Sequence, residues 1–217
     1  MLELACFHPQ AVDLAARWAV PQVEFCADAL AGGTTPKKDD VRAVRAGYEG
    51  RLGAMVRPIA GSFAYDAAGW LQMHRDLEAM AHAGVDFVVF GALDDRGQWD
   101  ADRIRAVVAE SPVPCVLHRV FDEFSAPLEA LEWAISAGFQ RILTGWGGKD
   151  MDQLMALHKA AAGRIELLPG GGIRAHNAAP YRAAGFSFLH TAALSPEAYA
   201  AEVPLPDETE VKTLLAG

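Results

Sequence analysis

Residues 67–90 read AAGWLQMHRDLEAMAHAGVDFVVF, in which an amphipathic stretch is followed by a glycine and a short apolar run. The amphipathic stretch repeats at spacings of three and four residues, which is the period of an α-helix. The repeating positions are Leu71, His74, Leu77, Met80 and Ala81. Gly84 stands where helices commonly end in a left-handed conformation. The segment therefore predicts a helix over 67–83 that leads into a buried strand over 85–90.

The same helix and strand unit recurs along the whole chain. Short apolar runs predict strands at 2–6, 22–26, 53–57, 85–90, 114–119, 141–144, 165–168 and 187–190. Amphipathic stretches predict helices at 9–19, 36–47, 67–83, 100–110, 126–137, 150–162, 175–184 and 207–216. Gly138 and Gly185 follow two of these helices in the way that Gly84 follows another.

Strict alternation of strands and helices predicts an α/β fold with a parallel sheet and right-handed connections. Eight such units close most naturally into a (β/α)8 TIM barrel, and 217 residues are sufficient for a compact one. We therefore expect residues 1–217 to form one barrel domain. An open doubly wound sheet is the alternative, but it leaves the regular spacing of the later units unexplained.

Composition limits the classes of function. Hydrophobic residues make up 52% of the chain and charged residues 22%, which allows a sizeable core. The net charge of −9 argues against nucleic acid or an anionic membrane as a partner. No apolar run has the length of a membrane span, and the first residues do not resemble a signal peptide. Three cysteines without a CxxC pair make a disulfide framework improbable, so we expect a reducing, cytoplasmic location.

Side-chain alternation predicts which residues point into the barrel. Residues two apart share a face of a strand, and the face that the helices cover should be apolar. The residues then expected inside are Glu3, Glu24, Cys26, Met55, Arg57, His118, Phe188 and His190. Active sites of barrels lie at the carboxyl ends of the strands, where several of these ionisable groups fall.

The five ionisable residues of this set allow two interpretations. Glu3, Glu24, Arg57, His118 and His190 could form an acid/base site in which Glu or His moves protons and Arg57 holds an anion. They could equally form a buried salt-bridge network that fixes the register of the strands. Convergence of five such groups at one end of a barrel favours the site.

A glycine run predicts an anion-binding loop. Gly170, Gly171 and Gly172 directly follow the seventh strand, where barrels often bind phosphate. Glycines let backbone N–H groups turn toward an anion, and a helix after Arg174 would add a positive dipole end. The alternative is a tight turn that only requires positive φ angles.

The sequence gives weak support for a metal site. Cys6, Cys26, His8, His118 and His190 are residue types that ligate soft or borderline metals, but no HExxH or CxxC motif is present. Cys6 has the wrong strand parity to face Cys26 inside the barrel. No GxSxG motif supports a serine nucleophile.

The strand ends also carry a family resemblance. The chain resembles the CutC copper-homeostasis family of cytoplasmic (β/α)8 barrels from residue 2 to about 193. The matching segments, in family order, are Leu2-Glu3, Val23-Glu24-Phe25-Cys26, Gly32-Gly33-Thr34-Thr35-Pro36, Arg57-Pro58, Phe90-Gly91-Ala92-Leu93, His118-Arg119-Val120-Phe121-Asp122, Leu143-Thr144-Gly145, Leu168-Pro169-Gly170-Gly171-Gly172-Ile173 and His190. The resemblance adds Arg119 and Asp122 to the candidate catalytic residues and suggests a homodimer.

The resemblance implies copper homeostasis, with copper(I) held by two cysteines on the first two strands. This chain has Ala5 where the family usually has the first cysteine, and Cys6 follows one residue later. The family segment Arg-Pro-Arg-Gly-Gly-Asp-Phe is here Arg57-Pro58-Ile59-Ala60-Gly61-Ser62-Phe63. Copper binding therefore carries over to Cys26, with Cys6 as a poorly placed second ligand.

The sequence is compatible with three functions. The first is copper handling through Cys26, as the resemblance implies. The second is an enzyme acting on a small anionic substrate, such as a phosphorylated compound, through Glu24, His118 and Arg57. The third is a non-catalytic binding barrel. The fold alone selects none of them, because barrels support many chemistries.

Overall fold

A computed structural model describes all 217 residues and has one eight-stranded parallel sheet. The strands are β1 Leu2–Cys6, β2 Gln22–Phe25, β3 Arg51–Met55, β4 Phe87–Phe90, β5 Cys115–Leu117, β6 Arg141–Thr144, β7 Glu166–Pro169 and β8 Leu189–Thr191. They are hydrogen-bonded in the order β7-β6-β5-β4-β3-β2-β1-β8. The end strands β7 and β8 contact each other and nearly close the sheet. The predicted (β/α)8 barrel is confirmed.

Nine helices surround the sheet. They are α1 Pro9–Arg17, α2 Lys38–Gly47, α3 Ala67–Ala83, α4 Ala101–Glu110, α5 Pro127–Ala137, α6 Met151–Ala161, α7 Ala178–Ala183, α8 Pro196–Tyr199 and α9 Glu208–Ala216. Gly84 and Gly138 end α3 and α5 in the left-handed conformation that the sequence predicted. None of the helices combines the length and the apolar character that crossing a membrane requires.

Strand alternation divides the core into two layers. The main apolar cluster fills the space between the sheet and the helices, and Leu4, Phe25 and Cys6 belong to it. Smaller clusters fill the interior of the barrel, one around Met55 and Phe87 and another around Leu143, Leu168 and Phe188. The interior is thus apolar in part, and the polar side chains share the remaining space.

Several boundaries differ from the predicted ones. Strand β3 begins at Arg51 rather than 53, and α7 begins at Ala178 rather than 175. The late start of α7 has a local cause, because the Arg174 N–H donates to Asn177 Oδ1 at 2.8 Å and holds a turn. Consequently no helix begins directly after Arg174, and the expected dipole contribution at the glycine loop is wrong. The short helix α8 was not predicted.

Two further differences concern side chains. Helix α3 buries Leu77 and Met80 of the repeating positions together with Trp70 and Met73, whereas Leu71 of the same repeat is 52% exposed. Strand β5 ends at Leu117, where His118 starts a 3-10 turn over Arg119–Glu123. His118 and Arg119 therefore lie outside the strand that the sequence predicted over 114–119. With Asp122 they lie in or beside this turn, at the carboxyl end of the barrel.

Candidate functional site

A cavity of about 370 Å³ opens at the carboxyl ends of the strands. The structure brings most of the predicted site residues to its wall. These are Glu24, Cys26, Arg57, His118, Arg119, Asp122, Gly171, Gly172 and His190. Three predicted residues do not line the cavity, namely Glu3, Gly170 and Cys6.

Glu3 lies beneath the cavity and joins three side chains. His190 Nδ1 is 2.7 Å from Glu3 Oε1, Arg141 Nη1 donates to Glu3 Oε2 at 3.3 Å, and Gln22 Nε2 donates to the same oxygen. Burial opposes ionisation of Glu3, but the hydrogen bond and charge of His190, then Arg141 and Gln22, hold its pKa below the usual value. Glu3 is therefore a buried carboxylate whose oxygens are already engaged.

Arg141 is the functional side chain that the sequence interpretation missed. Its Nε donates to Glu166 Oε2 at 2.7 Å, and its guanidinium also lies 4.8 Å from the Phe188 ring centre. Arg141 begins β6 and shares a face with the inward Leu143, so strand parity could have placed it inside the barrel. The arginine that faces the carboxylates is thus Arg141 and not Arg57, which corrects the predicted network.

His190 and Glu24 form the part of this network that reaches the cavity. His190 Nε2 is 3.6 Å from Glu24 Oε2, and Glu24 Oε1 is buried without a hydrogen-bond partner. Burial, with the Glu3 charge nearby, raises the pKa of Glu24 to about 7 despite the opposing charge of His190. Burial lowers the pKa of His190, but the Glu3 hydrogen bond and the charges of Glu24 and Glu3 raise it overall. The pair can hold and move a proton near neutral pH.

His118 is fixed in one tautomer by the backbone. Its Nδ1 accepts the Val120 N–H at 3.2 Å, so in the neutral ring the proton lies on Nε2. Burial and the nearby charge of Arg57 lower the pKa of His118 to about 3. Its ring centre is 4.7 Å from that of Phe63, and Nε2 is buried without a partner. His118 is therefore a neutral hydrogen-bond donor at physiological pH, and it cannot act as a base through Nδ1.

Arg57 organises the loops at the cavity mouth. Its Nη1 donates to the carbonyls of Ala31 and Gly33 at 2.8 and 2.9 Å, and its Nη2 donates to Gly61 O at 2.8 Å. Its guanidinium also lies 4.9 Å from the ring centre of Phe63. Only Nε is buried without a partner. Most of the donors that an anion clamp would use are therefore engaged with the backbone.

Asp122 joins the 3-10 turn to the loop after β6. Its Oδ2 accepts the Gly145 N–H at 2.8 Å and lies 3.5 Å from Arg119 Nε. Burial raises the pKa of Asp122, although the Gly145 N–H and the Arg119 charge oppose that shift. The Arg119 side chain is 55% exposed at the rim. Both residues line the cavity, but their visible contacts position a loop.

The glycine loop after β7 combines a tight turn with free donors. Gly170 N–H donates to Thr144 O at 2.8 Å, whereas the N–H groups of Gly171 and Gly172 donate to no protein acceptor. Gly171 and Gly172 have φ angles of +74° and +121°. A Cβ on Gly171 would lie 2.2 Å from Gly145 O, so close approach of two loops requires the glycine. The positive φ angles at Gly171 and Gly172 confirm the tight turn, whereas anion binding by the free N–H groups of these residues stays a prediction.

The cysteines do not form a two-thiolate copper site. Cys26 lies inside the barrel in the cluster of Met55 and Phe87, whereas Cys6 lies in the outer layer beneath the helices. Burial, followed by the charge of Glu24, raises the pKa of the Cys26 thiol well above its usual value. Cu(I) favours paired thiolates, so an isolated protonated thiol is a poor ligand. The cysteine arrangement implied by the resemblance does not fit copper here.

Glu3, Glu24 and His190 also present ligand atoms within 4.8 Å of one another. A divalent cation accepts such a spacing, but His190, Arg141 and Gln22 already engage the oxygens of Glu3. An arginine on the carboxylate also opposes a cation electrostatically. The cluster is therefore a polar triad in which His190 is within hydrogen-bond distance of Glu3 and lies 3.6 Å from Glu24.

Fold and cavity together define a (β/α)8 barrel with a partly polar cavity at the strand ends. The chain belongs to the CutC family, whose sequence profile matches residues 1–195. A CutC family protein of Xanthomonas campestris is 34% identical over 196 residues, which are 88% of this chain and 82% of that protein. A CutC family protein of Sinorhizobium medicae is 38% identical over 184 residues, or 82% and 74% of the two chains.

Solved structures support the same fold. CutC of Streptococcus agalactiae, solved as a candidate copper homeostasis protein, superimposes with a TM-score of 0.79 at 24% identity. The match covers 88% of this chain and 98% of that one. A 3-hexulose-6-phosphate synthase superimposes with a TM-score of 0.66 at 17% identity over 99% and 98% of the two chains. At these identities the likeness concerns the fold alone.

Proposed function

We propose that this chain is a barrel enzyme that acts on a small anionic substrate, with phosphate as the preferred anionic group. The observation that carries the proposal is the cavity at the strand ends. It combines a buried carboxylate and two imidazoles with backbone N–H groups that have no protein acceptor. Perturbed ionisable groups in a concave site at this end of a barrel are typical of catalysis.

The anion would bind at the glycine loop. Gly171 and Gly172 offer free N–H groups, and the cationic side chain of Arg174 lines the same cavity. Arg174 is held in place because its Nη1 donates to Thr191 Oγ1 at 2.8 Å and its Nη2 donates to Leu194 O at 3.1 Å. A fixed cation beside two N–H groups supports recognition of a phosphate. Arg174 Nη1 also donates to Ile173 O at 3.0 Å, so the donors of Arg174 are no freer than those of Arg57, and its proposed role is to place a positive charge beside the two N–H groups.

Proton transfer would fall to Glu24 and His190. Glu24 has a free buried oxygen and a pKa of about 7, which suits an acid/base group near neutral pH. Glu3 would act as a positioning residue, because it holds His190 and does not line the cavity. His118 would supply a neutral N–H donor.

Calorimetric titration with inorganic phosphate tests the anion site. Gly172→Ala should weaken phosphate binding by about tenfold or more, because a Cβ there lies 2.9 Å from Gly147 O and displaces the loop. Gly163→Ala is the matched control, since Gly163 also has a positive φ of +76° but has open space around it at the opposite end of the barrel. Equal binding by all three proteins, or none by the wild type, would overturn the proposed site.

Copper handling is a second candidate, which the family name and the Cys26 thiol in the cavity wall favour. The separation of Cys6 and Cys26 into different layers argues against a two-cysteine site. An anaerobic Cu(I) competition titration against a coloured chelator distinguishes the two candidates, with wild type, Cys26→Ser and Cys115→Ser compared. Tight one-to-one binding that Cys26→Ser alone abolishes would favour copper handling. No competition by the wild type, or equal competition by all three proteins, would contradict copper handling through Cys26 and favour the anion-binding enzyme.

A further inference from the structure

Four residues that line the cavity each carry a buried polar atom without a partner in the protein, namely His118 Nε2, Glu24 Oε1, Arg57 Nε and Asp122 Oδ1. The two that belong to the most deeply buried residues are Nε2 of His118 and Oε1 of Glu24. Their residues are 2% exposed each, and both line the cavity. Buried polar groups are normally hydrogen-bonded, and each exception calls for an explanation. A ligand that satisfies both atoms would supply one.

The two atoms require different chemistry from that ligand. His118 Nε2 carries the proton of the ring, because Nδ1 accepts the Val120 N–H. It therefore needs a lone pair, such as that of a carbonyl oxygen. A neutral imidazole donor of this kind stabilises the negative charge that develops on a carbonyl oxygen during reaction.

Glu24 requires a proton or a hydrogen-bond donor. Its Oε2 is directed at His190 Nε2, 3.6 Å away, while Oε1 is free. His190 is itself held by Glu3 at 2.7 Å, and Glu3 by Arg141 at 3.3 Å. This chain of contacts fixes the Glu24 carboxylate and compensates the charge that it carries as a base.

A third element recognises the rest of the ligand. Gly171 and Gly172, whose N–H groups have no protein acceptor, and Arg174 line the same cavity. Its volume of about 370 Å³ suits a compound of a few carbon atoms with one phosphate. The ligand would then carry a carbonyl, an acidic carbon–hydrogen bond and a terminal phosphate.

We infer that the cavity catalyses reversible enolisation of a small phosphorylated hydroxycarbonyl compound, with Glu24 as base and His118 as donor to the carbonyl oxygen. The inference rests on the proposed function and names its substrate class. Glu24 takes the proton from the carbon beside the carbonyl. The electron pair of that C–H bond forms the carbon–carbon double bond, and the carbonyl pair moves to the oxygen. Return of the proton to the same carbon regenerates the substrate. Return to the former carbonyl carbon gives the isomer once the hydroxyl proton of the neighbouring carbon has moved to the former carbonyl oxygen, so neither route needs an oxidant or a metal.

Solvent deuterium exchange tests this step without knowledge of the natural substrate. Dihydroxyacetone phosphate, ribulose 5-phosphate and fructose 6-phosphate are incubated with the full-length protein in D2O, and proton NMR follows the carbon-bound hydrogens beside the carbonyl. Dihydroxyacetone without phosphate is the matched substrate control. We expect exchange with at least one phosphorylated probe and much slower exchange with the control.

Two variants separate the roles. Glu24→Gln keeps the shape of the side chain, and His118→Asn keeps a side-chain oxygen for the Val120 N–H while it removes the ring donor. Each should slow exchange by roughly 100-fold or more and leave phosphate binding within about twofold. Circular dichroism confirms that each variant is folded.

The outcomes distinguish this inference from the function on which it rests. Phosphate binding without exchange at any probe would overturn the enolisation and leave the anion site standing. Exchange that both variants retain would also overturn it. If the wild-type protein does not bind phosphate, the proposed function itself is contradicted.

Discussion

His190 Nδ1 lies 2.7 Å from Glu3 Oε1, although the two residues are 187 positions apart in the chain. The contact joins the last strand of the barrel to the first. Glu3 of β1 and His190 of β8 are directly paired in the ladder between these two strands. Closure of the barrel therefore builds the polar triad that supports the cavity. Folding and site assembly depend on the same strand pairing.

The Arg141–Glu3 pair should be strongly coupled in the folded state. Removal of one partner leaves a buried charge, so Arg141→Met and Glu3→Gln should each lower the free energy of unfolding by roughly 3 kcal/mol. The double variant should lose clearly less than the sum, because it leaves no unpaired charge on Glu3. Urea unfolding at pH 7 measures the free energy of unfolding of all three variants.

Arg164→Met is the control. It breaks an exposed pair with Glu132 and should cause a much smaller loss of stability. Additive losses for the buried pair would contradict the network.

Glu24 should make the protein less stable as the pH rises. Its pKa is about 7 in the folded protein against 4.5 in the reference state, so the folded chain holds a proton that the unfolded chain releases. The contribution of Glu24 to the free energy of unfolding is fully present below pH 4.5. It falls by roughly 3 kcal/mol as the pH rises from 4.5 to 7. Glu24→Gln should remove this dependence of the free energy of unfolding on pH. The stability of the variant relative to the wild type should therefore be higher at pH 8 than at pH 4.

Thermal unfolding across that pH range measures the difference. Glu202→Gln, at an exposed position, is the control and should follow the wild type. Parallel curves for wild type and Glu24→Gln would show that burial does not raise the pKa of Glu24 as described.

His118 should remain neutral and keep its proton on Nε2 throughout the physiological range. Burial and Arg57 lower its pKa to about 3, and the Val120 N–H occupies Nδ1. Long-range proton–nitrogen NMR should therefore give a constant Nε2–H pattern for this ring from pH 5 to pH 8. A titration in that range, or the Nδ1–H pattern, would contradict the donor role of His118.

Gly53 should be intolerant of a side chain. It faces the barrel interior, and a Cβ there would lie 2.1 Å from the Phe87 ring. Gly53→Ala should therefore destabilise the protein by about 1–3 kcal/mol through overpacking. Gly47→Ala in α2, where nothing lies within 4 Å, should instead raise stability by up to about 1 kcal/mol. Urea midpoints measure the pair, and an equal effect of the two changes would refute the interior packing.

Much of the fold could be predicted from the sequence, because strands and helices alternate with clear periods and glycines mark helix ends. Strand parity also placed Glu3, Glu24, Cys26 and His190 on the inner face. The family was recognised from the motifs at the strand ends, and the profile match confirmed it. The expected homodimer stays a prediction.

Parity could not show which inward groups meet. Arg57 points inward, yet loop carbonyls take its donors, because the backbone of the mouth loops approaches it. Arg141 pairs with Glu3 across 138 positions of sequence, a contact that only barrel closure creates. The tautomer of His118 likewise depends on the 3-10 turn that ends β5. These features arise from loop conformation and closure, which local periodicity does not report.

The central claim is that the cavity binds a small anion at Gly171 and Gly172. A proton–nitrogen NMR titration with inorganic phosphate tests it directly, because the free N–H groups of these residues report on any acceptor. We expect the Gly171 and Gly172 amide resonances to shift saturably with phosphate concentration and by more than any other amide resonance. Amides that stay unchanged there, or that shift only at other sites, would contradict it.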